Sequence, residues 1–134
     1  MPASDRWIPY DFAVIRVVPH PHLDPSVPIG VLLYAPTAAY LGMRIVTEPE
    51  QLAARARDVD TDLLVRYIDA LRAICQGDPA AGPLALVSRS ERFHWLTAPR
   101  SDVIETGPIH SGLADDPART LDELFATYVG VAAL

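Results

Sequence analysis

The sequence predicts an α+β fold: a single domain in which helices pack on an antiparallel sheet. Three observations carry this expectation. Residues 10–46 hold three apolar runs of strand length, joined by segments rich in proline. Residues 60–77 and 116–129 instead space their apolar side chains as a helix does. The chain has 134 residues, half of them hydrophobic and 21% charged, which suits one globular domain.

The first run, Tyr10 to Val18, is apolar on both faces, with Tyr10, Phe12 and Val14 on one and Ala13, Ile15 and Val17 on the other. That pattern reads as a central strand covered from both sides. Residues 1–9 are left as an N-terminal tail, and 10–134 form the domain. Pro19-His20-Pro21-His22 closes the strand, because proline cannot donate to a central ladder. Ile29 to Ala35 is a second strand, and Tyr40 to Val46 a third. Pro36-Thr37-Ala38-Ala39 between them is short enough to require an antiparallel hairpin.

Thr47 with Glu50 three residues on has capping-box spacing and predicts a helix to about Arg57. A second helix starts near Asp60, with Leu63, Leu64, Tyr67, Ile68, Leu71, Ile74 and Cys75 as its stripe. Gly77-Asp78-Pro79 stops it, and 78–83 is a loop. Leu84 to Val87 reads as a short strand. Ser88 and Glu91 again have capping-box spacing, before a short helix Arg89 to Trp95. Val103 to Thr106 is a further strand, and Asp116-Pro117 opens the last helix, with proline at its favoured first position.

Composition narrows the function classes. The formal net charge is −6, and all 11 basic residues are arginine, so a basic nucleic-acid-binding surface is not expected. Lysine chemistry, whether of the Schiff-base or the P-loop kind, has no residue to work with. No apolar run approaches the ~20 residues of a membrane helix. The N-terminus shows no basic patch followed by an apolar stretch, so a secretory signal is not expected. The single cysteine, Cys75, excludes an intrachain disulfide and suits a reducing cytoplasm. On the apolar stripe of its helix it reads as inert core.

The segment most suited to chemistry is Ser88 to Ser101, SRSERFHWLTAPRS. It places Arg89, Arg92 and Arg100 beside His94, Trp95, Thr97 and Ser101, and carries a local charge of +2. Guanidinium groups near hydroxyls and a helix start suit a phosphate or carboxylate, which they bind bidentately. The competing reading is that these arginines pair with the protein's own acids while Phe93, Trp95 and Leu96 fill the core. His94 or His110 would be the proton carrier of any such site, unless each is simply a hydrogen-bonded, half-buried histidine. Arg16 interrupts an apolar strand and needs a partner, either an acid such as Asp69 or Glu91 or a ligand. His20 and His22 form an HxH pair, but zinc asks for three or four ligands, so neither a metal nor a cofactor is expected. Neither GxGxxG, GxxxxGK[ST] nor GxSxG occurs.

Several blocks together resemble a known family. YDFAVIRVVPH (10–20), GVLLYAP (30–36), ALRAICQGDPAAGP (70–83), RFHWLTAPRS (92–101) and HSGLADDP (110–117) are similar to the bacterial family called domain of unknown function 3037. The resemblance spans about Tyr10 to Val129, and FHWLTAPRS is its most specific part. It supplies no activity. It implies a small partner or regulator of a kinase of the HipA type, beside which family members often lie. One departure stands at the second strand, where a motif like GEFVNVGVVLY reads DPSVPIGVLLY (24–34), with Pro25 in place of the acid and Pro28 in place of the asparagine.

Two functional readings follow. The first is a non-catalytic interaction or regulatory protein with a protein partner, presenting an exposed apolar patch. The second is an enzyme or binding domain for an anionic small molecule. There Arg16, Arg92 and Arg100 hold the anion, His94 or His110 moves protons, and Thr97 or Ser101 donates hydrogen bonds. Without a catalytic signature, the non-enzymatic reading stands first.

Overall fold

The structure is a computed structural model that describes residues 6–18, 26–57, 59–98 and 103–130. Its centre is β1 (Ile8–Val17), apolar on both faces as the sequence requires. Antiparallel β2 (Val27–Ala35) pairs along one edge of β1, and β3 (Tyr40–Ile45) pairs with β2. Two short strands share the other edge of β1. β4 (Ile104–Thr106) lies opposite 15–17, and β5 (His110–Ala114) opposite 8–12. The result is a five-stranded antiparallel sheet in the order β3-β2-β1-β4, with β5 beside β4 on the same edge.

The strand begins at Ile8, so Ile8 and Pro9 belong to the sheet rather than to the tail. The hairpin turn is a 3-10 turn, Pro36–Ala38, closed by Ala39 in the left-handed region. The register slips by one residue where Ile15 faces Gly30 and Arg16 faces Pro28. Proline has no N–H for a ladder, and Pro28 sits at this irregularity, beyond the last β3 pair, Gly30 with Ile45.

Alternation along β1 sends Ile15 to one face and Phe12 to the other. Helix α2 (Thr61–Gln76) and helix α3 (Arg89–Thr97) cover the Ile15 face, where Tyr34 meets Phe93 at 5.3 Å between ring centroids. Helix α4 (Pro117–Tyr128) covers the Phe12 face. Phe12 stacks near Tyr128 at 5.6 Å, and the Arg44 guanidinium lies 4.6 Å over the Phe125 ring while it pairs with Asp122 at 2.9 Å. With both faces roofed, Ile29, Val31, Leu32 and Leu33 of β2 are fully buried, as the doubly apolar run demands.

The helix starts show how local chemistry sets boundaries. Asp60 caps α2 by accepting from the N–H groups of Asp62 and Leu63. Gly77 ends that helix at φ 71°, where a Cβ would be strained. Ser88 caps α3 by accepting from the Glu91 N–H at 3.2 Å, and its hydroxyl donates to the Glu91 carboxylate. Asp116 caps α4 with Pro117 in the first turn. One residue upstream, Arg119 donates to Asp115 at 2.7 Å and holds that carboxyl below its ordinary range.

Three elements differ from the sequence expectation. Thr47 does not cap helix α1 (Pro49–Arg55). Backbone pairing continues past β3, with Val46 N–H on Ile29 O, and the chain stays extended through Glu48, so Pro49 opens the helix. Leu84 to Val87 is no strand. Gly82 delivers Pro83 into a 3-10 turn over Pro83–Leu86 that tucks Ala85 into the core away from the sheet. β5 is a strand the periodicity did not reveal, because five residues containing a glycine carry too little alternation to read.

Candidate functional site

Helices α2 and α3 do not close completely over the sheet. Between them lies a cavity of about 300 Å³. Its floor is Ile15 of β1, Ile104 and Thr106 of β4, and Met43 of β3. Tyr67, Ala70, Leu71 and Ile74 form the α2 wall, and Trp95, Leu96 and Ala98 the α3 wall. The lining follows from two patterns in the sequence. Tyr67, Ala70, Leu71 and Ile74 recur at helical spacing, so one stripe of α2 faces the sheet. Ile15 and Thr106 face each other across the β1–β4 ladder and therefore share a side. The Thr106 hydroxyl donates to Leu96 O at 3.0 Å, which ties β4 to the end of α3 and leaves its oxygen lone pairs toward other groups.

The residues singled out from the sequence distribute as follows. Trp95 lines this cavity and also a shallower hollow with Leu84, Val87, Glu91 and His94. Arg92 turns from α3 toward the preceding loop and donates to Val87 O at 2.7 Å, while its Nε is buried without a hydrogen-bond partner. It packs at the C-terminal end of α2, within reach of Gly77. His94 is exposed, with Nδ1 2.8 Å from Ser90 O one turn back. The Thr97 hydroxyl donates to Phe93 O at 2.9 Å in the same way. His110 lies across the sheet from all of these. It is exposed on β5, stacked 5.2 Å from Phe12 on the face that α4 covers. Arg16 is half-buried, and its register partner on β4 is Glu105 rather than Asp69 or Glu91. Asp69 is exposed on α2, across the sheet from the Arg16 side of β1. Arg100, Ser101, His20 and His22 lie outside the described residues.

The arrangement thus brings Trp95 to the cavity between α2 and α3, puts His94 with it only at the shallower hollow, and keeps Arg92, Thr97 and His110 out of the lining of both. The sequence reading missed Met43, Tyr67, Ala70, Leu71, Ile74 and Thr106 as a lining. The four α2 residues among them share one side of that helix, and a side that meets a cavity has the same periodicity as one that meets a neighbour. Among the described residues no group of three or more His, Cys, Asp or Glu side chains gathers to hold a metal ion.

Cys75 follows α2's stripe into the core. Burial pushes its thiol up to about 11, against a smaller opposing pull from the Arg92 charge. At neutral pH it is a protonated, poorly nucleophilic side chain.

A second surface feature lies at the β4–β5 edge. Among the described residues no strand pairs beyond it. Leu113 on β5 is 63% exposed, Ile109 just before β5 is 49% exposed, and Trp7 just before β1 is 48% exposed. The strand itself, His110-Ser111-Gly112-Leu113-Ala114, carries no lysine, acid or proline of the kind that usually guards an edge.

A small α+β domain with helices on both faces of an antiparallel sheet is the class that fold and site define. Residues 12–129 match the sequence profile of the family described as protein of unknown function DUF3037, and the chain belongs to that family. Comparison with curated proteins and with solved structures gives no match.

Proposed function

We propose that this chain is a small, non-catalytic interaction module that binds a protein partner through the open β5 edge. One observation carries the reading: β5 is an edge strand beyond which, among the described residues, nothing pairs, and it is flanked by exposed Leu113, Ile109 and Trp7. An edge strand presents a row of unpaired N–H and C=O groups, which an extended segment of another protein satisfies by adding a strand. The exposed apolar side chains then supply the burial that hydrogen bonds alone do not. The candidate partner is a kinase of the HipA type, which this module would bind and regulate.

The anionic-ligand reading stands second. It would draw on Arg92, His94 and Thr97, whose hydrogen bonds go to their own backbone, and on His110 across the sheet.

Co-expression with a HipA-like kinase, followed by size-exclusion chromatography, tests the proposal. The wild-type chain co-elutes, and the amides of 110–114 gain hydrogen-exchange protection in the complex. Leu113→Glu abolishes co-elution while its unfolding midpoint stays near wild type, since exposed substitutions shift stability by about 0.5 kcal/mol or less. Co-elution that survives Leu113→Glu, or protection that appears elsewhere, overturns the β5 edge as the interface. Failure of the wild-type chain to co-elute removes the kinase.

A further inference from the structure

The cavity between α2 and α3 lies on the sheet face opposite α4 and has no part in the proposed edge interaction. We infer that it is a binding site for a small, uncharged, mainly aliphatic molecule that bears a hydrogen-bond donor, an alcohol being the simplest case.

Size and shape favour a small molecule. The volume of about 300 Å³ stands at the lower end of ligand pockets. Walls from two helices and a floor from three strands leave a recess rather than a flat face. Apolar recesses of this kind exclude water and accept apolar guests, because water gains few hydrogen bonds inside them.

The lining sets the chemistry. Ile15, Met43, Leu71, Ile74, Leu96 and Ile104 offer only hydrocarbon and a thioether to a guest. A carboxylate packed against these six side chains would lose hydration that none of them replaces. The one hydroxyl on the floor, that of Thr106, has already given its proton to Leu96 O. Toward a guest it can act only as an acceptor, which favours an O–H or N–H on the guest and disfavours an anionic oxygen. Tyr67, 37% exposed on the α2 wall, completes the lining with an aromatic ring.

Trp95 on the α3 wall reports on occupancy. The chain has two tryptophans, so Trp7→Phe leaves Trp95 as the sole indole emitter. In that background, titration with 1-octanol shifts Trp95 emission saturably. Octanoate, the same chain ending in a carboxylate, requires at least about tenfold more for the same shift. Ala70 is solvent-exposed at its helix position yet lines the recess, so Ala70→Phe fills the wall and weakens octanol at least about tenfold. Ala70→Met fills it more mildly, keeps the unfolding midpoint, and weakens octanol in the same direction, which separates occlusion from misfolding. Absence of a saturable octanol response, equal response to octanoate, or octanol binding untouched in a folded Ala70 variant each overturns the inference.

Discussion

Cys75 and Arg92 illustrate how single side chains spend their chemistry on the fold. The Cys75 thiol is buried, 4.0 Å from Leu41 O, and its ionisation is pushed up to about 11 by desolvation. A thiol whose folded value lies above the unfolded one, near 9.0, keeps its proton in the native state while the unfolded chain has lost it. Stability is therefore unaffected below pH 9 and falls as pH rises from 9 towards 11, by about 1–3 kcal/mol in all. Cys75→Ala flattens that alkaline limb, as equilibrium urea unfolding across pH 7–10.5 will show. Native-state alkylation at pH 8 is correspondingly slow and tracks global unfolding. Arg92 ties α3 to the loop before it through Val87 O, with an unsatisfied Nε beside that bond. Arg92→Met keeps the aliphatic stem and frees the orphaned nitrogen of its burial cost but leaves Val87 O unpaired. The balance is a loss of about 1–2 kcal/mol, read as a lower urea midpoint with unchanged m-value.

At the scale of elements, boundaries follow local chemistry where a cap exists and packing where none does. The α2 helix is bounded by Asp60 and Gly77, both plain in the sequence. Asp60→Ala removes the acceptor for two N–H groups and costs about 1 kcal/mol. Gly77→Ala forces a side chain to φ 71° and costs about 1 kcal/mol or more. Thermal unfolding of the two variants and of their combination checks both values, which add because the sites lie at opposite ends of the helix. β5 shows the opposite case. Its Gly112 lies beneath the Tyr10 ring, where an added Cβ would come within 2.6 Å of Cζ, and its Ser111 donates to Asp11 at 2.6 Å. Those contacts come from β1, a hundred residues away in sequence, so nothing in HSGLA announces a strand. The same holds for Leu84 to Val87, where four residues of strand-like composition turn into a 3-10 segment because Gly82 and Pro83 fix the path into it.

For the molecule as a whole, helices on both faces explain why β1 and β2 are apolar on both sides, and both strands were legible for that reason. The family assignment rests on nearly the same span, residues 12–129. Among the described residues no helix is long and apolar enough to cross a membrane. The candidate site was much less legible than the fold. Periodicity states which side chains face inward, but whether two inward stripes meet or leave a recess depends on how α2 and α3 settle over β1, β3 and β4. Likewise, the segment Ser88 to Ser101 stands out by composition, yet of its described members only Trp95, Leu96 and Ala98 line the cavity between α2 and α3.

The sequence by itself determined the α+β class, the doubly buried central strands, the β2–β3 hairpin and the capped helices. Each of these depends on residues close together in the chain: alternation, 3.6-residue spacing, a capping oxygen, a glycine or a proline. Tertiary structure alone decided that β5 pairs with β1, that Arg16 faces Glu105, that His94 and His110 sit on opposite faces of the sheet, and that a recess lies beneath α2 and α3. These facts are set by contacts between distant segments, whose energies come from packing and register rather than from any local propensity.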